Sequence, residues 1–184
     1  MSIILATGGL GFIGSHICLK ILEEGLDVLI IDSLVNSSSK VINNIEKILK
    51  HNNINKSGNL FFRKGDIRDC EFLTGVFEEF KLLRKPIKSV IHLAGLKSVS
   101  DSIIDPLNYW DVNVNGTVNL LSVMKKNNCN TIVFSSSATI YKSDSSKKIK
   151  ESHKLHPINP YGNTKLAIEK ILGDLFNSER DKWR

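Results

Sequence analysis

Three cysteines are too few and too scattered to build a framework. Cys18, Cys70 and Cys129 are odd in number and none is spaced as CxxC, so neither a disulfide set nor a zinc site is signalled. No metal is expected, and a reducing, cytoplasmic setting fits. Long apolar runs are missing too: nothing approaches the ~18 consecutive apolar residues of a membrane span, and Met1 to Ala6 passes straight into glycines with no basic stretch ahead of an apolar one. The chain is expected to be neither secreted nor membrane-spanning. Acidic side chains are the minority, 19 against 25 Lys plus Arg, for a net charge of +6. Such a surplus raises a nucleic-acid or membrane-surface partner. The lysines, however, are spread out (Lys40, Lys47, Lys50, Lys56, Lys64), and the densest group, Lys147, Lys148, Lys150 and Lys154, lacks the arginine–aromatic interleaving that single strands require. A solvated basic loop accounts for it, and no nucleic-acid or membrane partner is expected.

What is present suits one folded domain over residues 1–184: 41% of residues are apolar, 24% charged and 7% aromatic. A chain of this length buries roughly 70% of its unfolded surface, so it needs no covalent staples. Short β-branched apolar runs recur at Ile3–Ala6, Val28–Ile31, Leu60–Phe62, Val90–Leu93 and Ile132–Phe134. Between them lie segments with helical spacing: Ile13, Ile17 and Ile21; Val41, Ile45, Ile48 and Leu49; Phe72, Val76, Phe80 and Leu83; then Tyr109–Lys126 and Pro160–Phe176. The strands are continuously apolar, as burial on both sheet faces demands, and the alternation predicts a parallel, doubly wound α/β sheet with helices on both faces. Lys142–Asn159 reads as a surface loop. With no strand after the last helix, the outer edge of Thr131–Phe134 is expected to be uncovered.

Chemistry-bearing residues gather where these strands end. Thr7-Gly8-Gly9-Leu10-Gly11-Phe12-Ile13-Gly14 follows the first strand and opens a helix. Glycines at positions 8, 11 and 14 suit a tight turn, close backbone approach to a pyrophosphate and close helix-to-strand packing, with the helix N-terminus facing the anion. The same glycines also serve a plain strand-to-helix turn. Asp32 ends the second strand 18 residues after Gly14, where a carboxylate accepts from an adenosine ribose and repels a 2′-phosphate, favouring NAD over NADP. His92, inside an apolar strand, reads as a buried structural residue. Tyr161 and Lys165 stand at i and i+4 on the last helix, placing phenol and ammonium about 6 Å apart on one face. An ammonium so placed would favour the phenolate. Ser135-Ser136-Ser137 leaves the fifth strand over the same sheet edge, and Ser137 lies 24 residues before Tyr161. A hydroxyl there can share a hydrogen-bond network with substrate and phenol, although serines ending a strand are also turn formers.

Together the segments TGGLGFIGSH (7–16), DSLVNS (32–37), GDIRD, HLAGLKSV, NVNGT (113–117), SSSATIY (135–141) and PYGNTK (160–165) resemble the extended short-chain dehydrogenase/reductases of the NAD-dependent epimerase/dehydratase family, and within them the UDP-glucose 4-epimerases. The resemblance covers essentially the whole chain. It implies a Rossmann-type domain that stops short of the family's last strands and C-terminal substrate domain. It implies NAD held by Gly8, Gly11, Phe12, Ile13 and Gly14; by Asp32, Ser33, Leu34, Val35, Asn36 and Ser37; by Asp66 and Ile67; and by Leu93, Ala94, Gly95, Leu96 and Lys97. Tyr161 would be the base at the sugar 4-hydroxyl, Ser137 would assist the proton transfer, and Lys165 would hold the nicotinamide ribose. The implied reaction interconverts UDP-galactose and UDP-glucose by transient hydride transfer to bound NAD, in a homodimer or with a completing chain. The missing remainder leaves two alternatives open: a non-catalytic NAD-binding module, or another NAD-dependent nucleotide-sugar epimerase or reductase of the superfamily. Ala138 and Thr139 stand where the related 4,6-dehydratases carry Asp-Glu, and neither can supply the acid and base that eliminating water needs. Val112, Ser33 and Lys142 replace residues usual in the family and are expected to affect cofactor binding or loop geometry.

Overall fold

The five apolar runs pair as strands because each is short, rich in β-branched or aromatic residues and bounded by turn residues. The computed structural model describes residues 2–52, 57–142 and 148–184; Lys56 and Lys147 of the basic segments lie outside them. In chain order these are β1 (Ile3–Thr7), α1 (Phe12–Glu23), β2 (Val28–Asp32), α2 (Lys40–His51), β3 (Leu60–Lys64), α3 (Cys70–Leu82), β4 (Ile87–His92), α4 (Val99–Ile104), α5 (Pro106–Tyr109), a π-helical segment Trp110–Asn115, α6 (Gly116–Lys126), β5 (Thr131–Phe134), a 3₁₀ turn Ala138–Ile140, and α7 (Pro160–Ser178).

Within the sheet every pairing is parallel, in the order β3-β2-β1-β4-β5. Register runs Ala6 against Ile30 and Ile91, and His92 against Phe134. The order reverses direction beside β1, so the loops leaving β1 and β4 diverge and open a crevice at their carboxyl ends. Side-chain alternation splits the core in two. Leu5, Leu29 and Ile31 pack with Leu73, Phe77, Phe80, Leu120 and Met124 on the α3/α6/α7 face. Ala6, Val28 and Ile30 pack with Cys18, Leu22, Ile45 and Leu49 on the α1/α2 face. Residues in β1 and β2 that are fully buried contribute roughly 1.5–3 kcal/mol for each large aliphatic side chain.

Two expectations need correction. The outer edge of β5 is not bare: Ile132 donates its N–H to Arg184 O at 2.8 Å, and Arg184 N–H donates to Asn130 O at 2.9 Å. Trp183, only 2% exposed, plugs the core beneath. The segment after Ser178 folds back onto β5, held by these two backbone bonds and by the buried Trp183 ring, whose Nε1–H has no partner among the described residues. The single helix expected over Tyr109–Lys126 is also interrupted, since Trp110–Asn115 is π-helical. The short α4 had no sequence signal of its own; Ser98 caps it by accepting from Asp101 N–H. Among the described residues, no helix is long and apolar enough to cross a membrane.

Candidate active site

The loops at the carboxyl ends of β1, β2, β3, β4 and β5 surround a cleft of about 480 Å³. Its floor is the glycine turn. Gly8 has φ +69°, and a Cβ there would sit 2.6 Å from Ala94 N, so only glycine allows β1 to turn beneath the loop after β4. A Cβ on Gly14 would lie 2.4 Å from Gly8 O, whereas one on Gly11 would meet only Gly8 O at 3.3 Å. The first and last glycines are thus demanded by the chain's own packing, and Gly11 keeps open space at the helix start. Gly11 caps α1 with no side chain, so the first-turn N–H groups of α1 face the cleft unspent.

Asp32 is 7% exposed and organises that floor. Its Oδ2 accepts from Leu10 N–H at 3.0 Å, and its Oδ1 accepts from Leu34 N–H at 3.0 Å and Ser37 Oγ–H at 2.7 Å. Three donors leave one lone-pair direction on the carboxylate for an incoming hydroxyl. Ser33, Val35, Asn36, Asp66, Ile67 and Leu93–Lys97 line the cleft as expected. Leu34 and Ser37 do not line it: they stand behind Asp32 and hold its carboxylate. Gly116 packs so tightly under Ile67 that a Cβ would lie 2.7 Å from Ile67 Cγ1.

Over the other end of the cleft stand Tyr161 and Lys165 of α7, started by Asn159, whose Oδ1 accepts from Gly162 N–H at 2.8 Å, and by Pro160 at the first turn. Lys165 Nζ donates to Ser135 O at 2.9 Å, lies 4.6 Å from the Phe134 ring centroid and 5.9 Å from that of Tyr161. Burial brings the Lys165 ammonium down to about 8. Ser135 and Ser136 line the cleft, and Ser136 Oγ is buried without a partner among the described residues. Ser137 does not line it. Ser137 Oγ accepts from Thr139 N–H at 3.3 Å and from Thr139 Oγ1–H at 3.0 Å, which fills its lone pairs and leaves its own O–H to donate.

His92 is fully buried, with Nδ1 2.6 Å from Thr7 Oγ1 and Nε2 2.9 Å from Thr117 Oγ1. Burial, with the Lys165 charge second, holds it down to about 3. It is a neutral structural residue, as its place in the strand suggested. Sequence reasoning passed over Arg68 and Asn108 as cleft residues. Arg68 bonds both Asp66 oxygens and reaches Asp111 Oδ2 at 2.8 Å, tying the loop after β3 to the π segment; its position inside the GDIRD segment was the available signal.

The glycine cradle, the free helix N-terminus, the carboxylate with one spare direction and the unpartnered Ser136 hydroxyl fit a dinucleotide: anion at the glycines, ribose at Asp32, and the far end beside Tyr161 and Lys165. Among the described residues no cluster of His, Cys, Asp and Glu could hold a metal ion.

Comparison with known proteins agrees with this geometry. Residues 5–180 match the family model described as GDP-mannose 4,6 dehydratase. The chain is 41% identical over 181 residues to the bifunctional UDP-glucose 4-epimerase and UDP-xylose 4-epimerase 1 of Pisum sativum, covering 98% of this chain and 49% of that protein. It is 40% identical over 178 residues to the UDP-glucose 4-epimerase of Bacillus subtilis (strain 168), with 97% and 49% covered. The crystal structure of UDP-glucose 4-epimerase from Bifidobacterium longum in complex with NAD+ and UDP superposes with a TM-score of 0.85 at 37% identity, over 97% of this chain and 50% of that one. The chain thus spans about half the length of each of these three proteins.

Proposed function

We propose, from the premise that this chain belongs to the family described as GDP-mannose 4,6 dehydratase, that its 184 residues form the NAD-binding and proton-transferring unit of a UDP-glucose 4-epimerase acting on UDP-galactose and UDP-glucose. The observation that carries this reading is the placement of Tyr161 and Lys165 at one end of a cleft whose other end is the glycine cradle with Asp32. Epimerisation is favoured over dehydration because Ala138 and Thr139 flank Ser137, and Thr139 spends its hydroxyl on Ser137. Neither residue offers a carboxyl group to shuttle the protons of an elimination.

When bound, NAD would supply the hydride acceptor and donor for sugar C4, held by the glycine cradle, Asp32 and Lys165. The chain's residues do the rest. Tyr161 takes the proton of the 4-hydroxyl and later gives it back. Ser137 donates its unspent O–H to the same oxygen. Lys165, cationic at neutral pH and 5.9 Å from the phenol ring, stabilises the negative charge that develops there. The backbone N–H groups opening α1 hold the pyrophosphate, and Asp32 accepts from the adenosine ribose. Asp66 and Ile67 would hold the adenine end, with Arg68 keeping Asp66 in place. Val112 puts an apolar surface in the cleft.

The setting we infer is cytoplasmic, in galactose metabolism, and the three free thiols fit a reducing compartment. A homodimer is supported by the apolar groove between α6 and α7, where Val118, Leu121, Ile171 and Leu175 lie together. The test is conversion of UDP-galactose to UDP-glucose by the purified chain with NAD. Turnover that Tyr161→Phe abolishes is the expected result, and turnover equal in wild type and Tyr161→Phe contradicts it.

A further inference from the structure

The loop after β3 and the π-helical segment meet across one guanidinium. Arg68 Nε donates to Asp66 Oδ1 at 3.1 Å and Nη2 donates to Asp66 Oδ2 at 2.7 Å, a forked pair that fixes one edge of the group. Nη1 donates to Asp111 Oδ2 at 2.8 Å and holds a second edge. Both carboxylates are themselves anchored: Asp66 Oδ1 accepts from Arg68 N–H at 2.9 Å, and Asp111 Oδ1 accepts from Asn115 Nδ2 at 3.0 Å. The backbone is tied as well, since Asn119 Nδ2 donates to Arg68 O at 2.8 Å. The guanidinium is therefore fixed in orientation, yet the side chain remains 38% exposed and lines the cleft beside Ile67, Asn108 and Val112.

What it offers a ligand is decided by charge and shape. Two carboxylates around one cation leave the cluster net negative, so it repels phosphates and does not seat them. Guanidinium N–H groups point outward in the plane of the group, and bonds made in that plane leave its two faces bare. An arginine pinned by its edges is a flat platform for a flat ring. We propose that Arg68 is a base-stacking residue, one face of its guanidinium carrying the adenine ring of the cofactor. The proposal rests on the cofactor reading above, which brings the adenine to this end of the cleft, and it supplies the surface on which the ring lies.

The test is calorimetric titration of the whole chain with NAD and with nicotinamide hypoxanthine dinucleotide, which keeps the bicyclic ring and lacks the exocyclic amino group. Arg68→Lys retains the charge but removes the flat group. It is expected to raise the dissociation constant about threefold for both dinucleotides, the scale of an exposed cation–π contact. An Arg68 that served only to hold Asp66 as an acceptor for the amino group would give a loss with NAD and none with the hypoxanthine ligand, and that result overturns the proposal. Wild-type affinity of Arg68→Lys for both ligands overturns it too. A second readout is the Arg68 Nε–H signal in a proton–nitrogen correlation spectrum, identified by its disappearance in Arg68→Lys. Protons over a ring face move upfield and protons at its edge move downfield. An upfield shift on adding NAD is expected, and a downfield shift or none overturns the proposal; this readout decides alone where the hypoxanthine ligand binds too weakly to titrate. A wild-type chain that binds neither dinucleotide overturns the cofactor reading, and this proposal with it, whereas wild-type binding with an insensitive Arg68→Lys overturns the proposal alone.

Discussion

Replacing Lys165 by methionine should make the protein more stable at neutral pH while destroying its site. Lys165 is 6% exposed, and burial lowers its ammonium from 10.5 to about 8. At 1.36 kcal/mol per unit, holding the cation costs about 3 kcal/mol at pH 7. Against this stand one hydrogen bond to Ser135 O and a cation–π contact with Phe134 at 4.6 Å, each contributing about 1 kcal/mol. Lys165→Met removes all three effects with little change of volume, for a net gain of about 1 kcal/mol at pH 7. The sign of the pH dependence follows. Between about 8 and 10.5 the folded state has released a proton that the unfolded state still holds, so wild-type stability rises with pH through that window. Above it wild type has regained the roughly 3 kcal/mol set by the pKa shift, and the methionine variant should be the less stable by about 2 kcal/mol. Urea unfolding of both proteins at pH steps from 7 to 10.5, compared at constant m, measures this directly. A variant less stable than wild type at pH 7, with a difference that does not change up to pH 10.5, refutes the reasoning. A stability gain bought with function is the pattern expected of a site residue.

Other outcomes follow from the same structure. Gly8→Ala forces a Cβ to 2.6 Å from Ala94 N at φ +69° and should cost about 2–4 kcal/mol in urea unfolding. Gly116→Ala should push Ile67 toward the cleft and weaken NAD binding more than it lowers the unfolding midpoint, since the Ile67 side chain can shift where the Gly8 backbone contact cannot. His92, held down to about 3 from 6.5, contributes stability that is complete above 6.5 and is lost as the pH falls toward 3; His92→Gln should flatten the acid limb of the pH–stability curve. Val112→Asn places a polar side chain on the cleft wall and should tighten NAD binding in a calorimetric titration.

The parallel sheet was legible because β1 and β2 are buried on both faces and so read as unbroken apolar runs. The cradle was legible because glycine is demanded at positions 8 and 14 by backbone contacts that no other residue tolerates. Tyr161 and Lys165 could be paired because i and i+4 share a helix face in any context. What escaped was tertiary. Trp183 and Arg184 carry no strand pattern; the buried indole and two backbone bonds to Asn130 and Ile132 tie them to β5. The π turn leaves no periodic mark in a segment as short as Trp110–Asn115. Leu34 and Ser37 belong to the expected cofactor segment, yet the carboxylate of Asp32 draws their donors away from the cleft. Ser137 accepts from Thr139 of its own 3₁₀ turn, a local bond that spacing could not foresee and that leaves its O–H free to donate.

The most direct measurement is the crystal structure of the chain soaked with NAD. The pyrophosphate should lie on the N–H groups of Phe12 and Ile13, the adenosine ribose on Asp32, and the nicotinamide beside the Tyr161 phenol. Density for the dinucleotide elsewhere, or a nicotinamide turned away from Tyr161 and Lys165, would contradict the account.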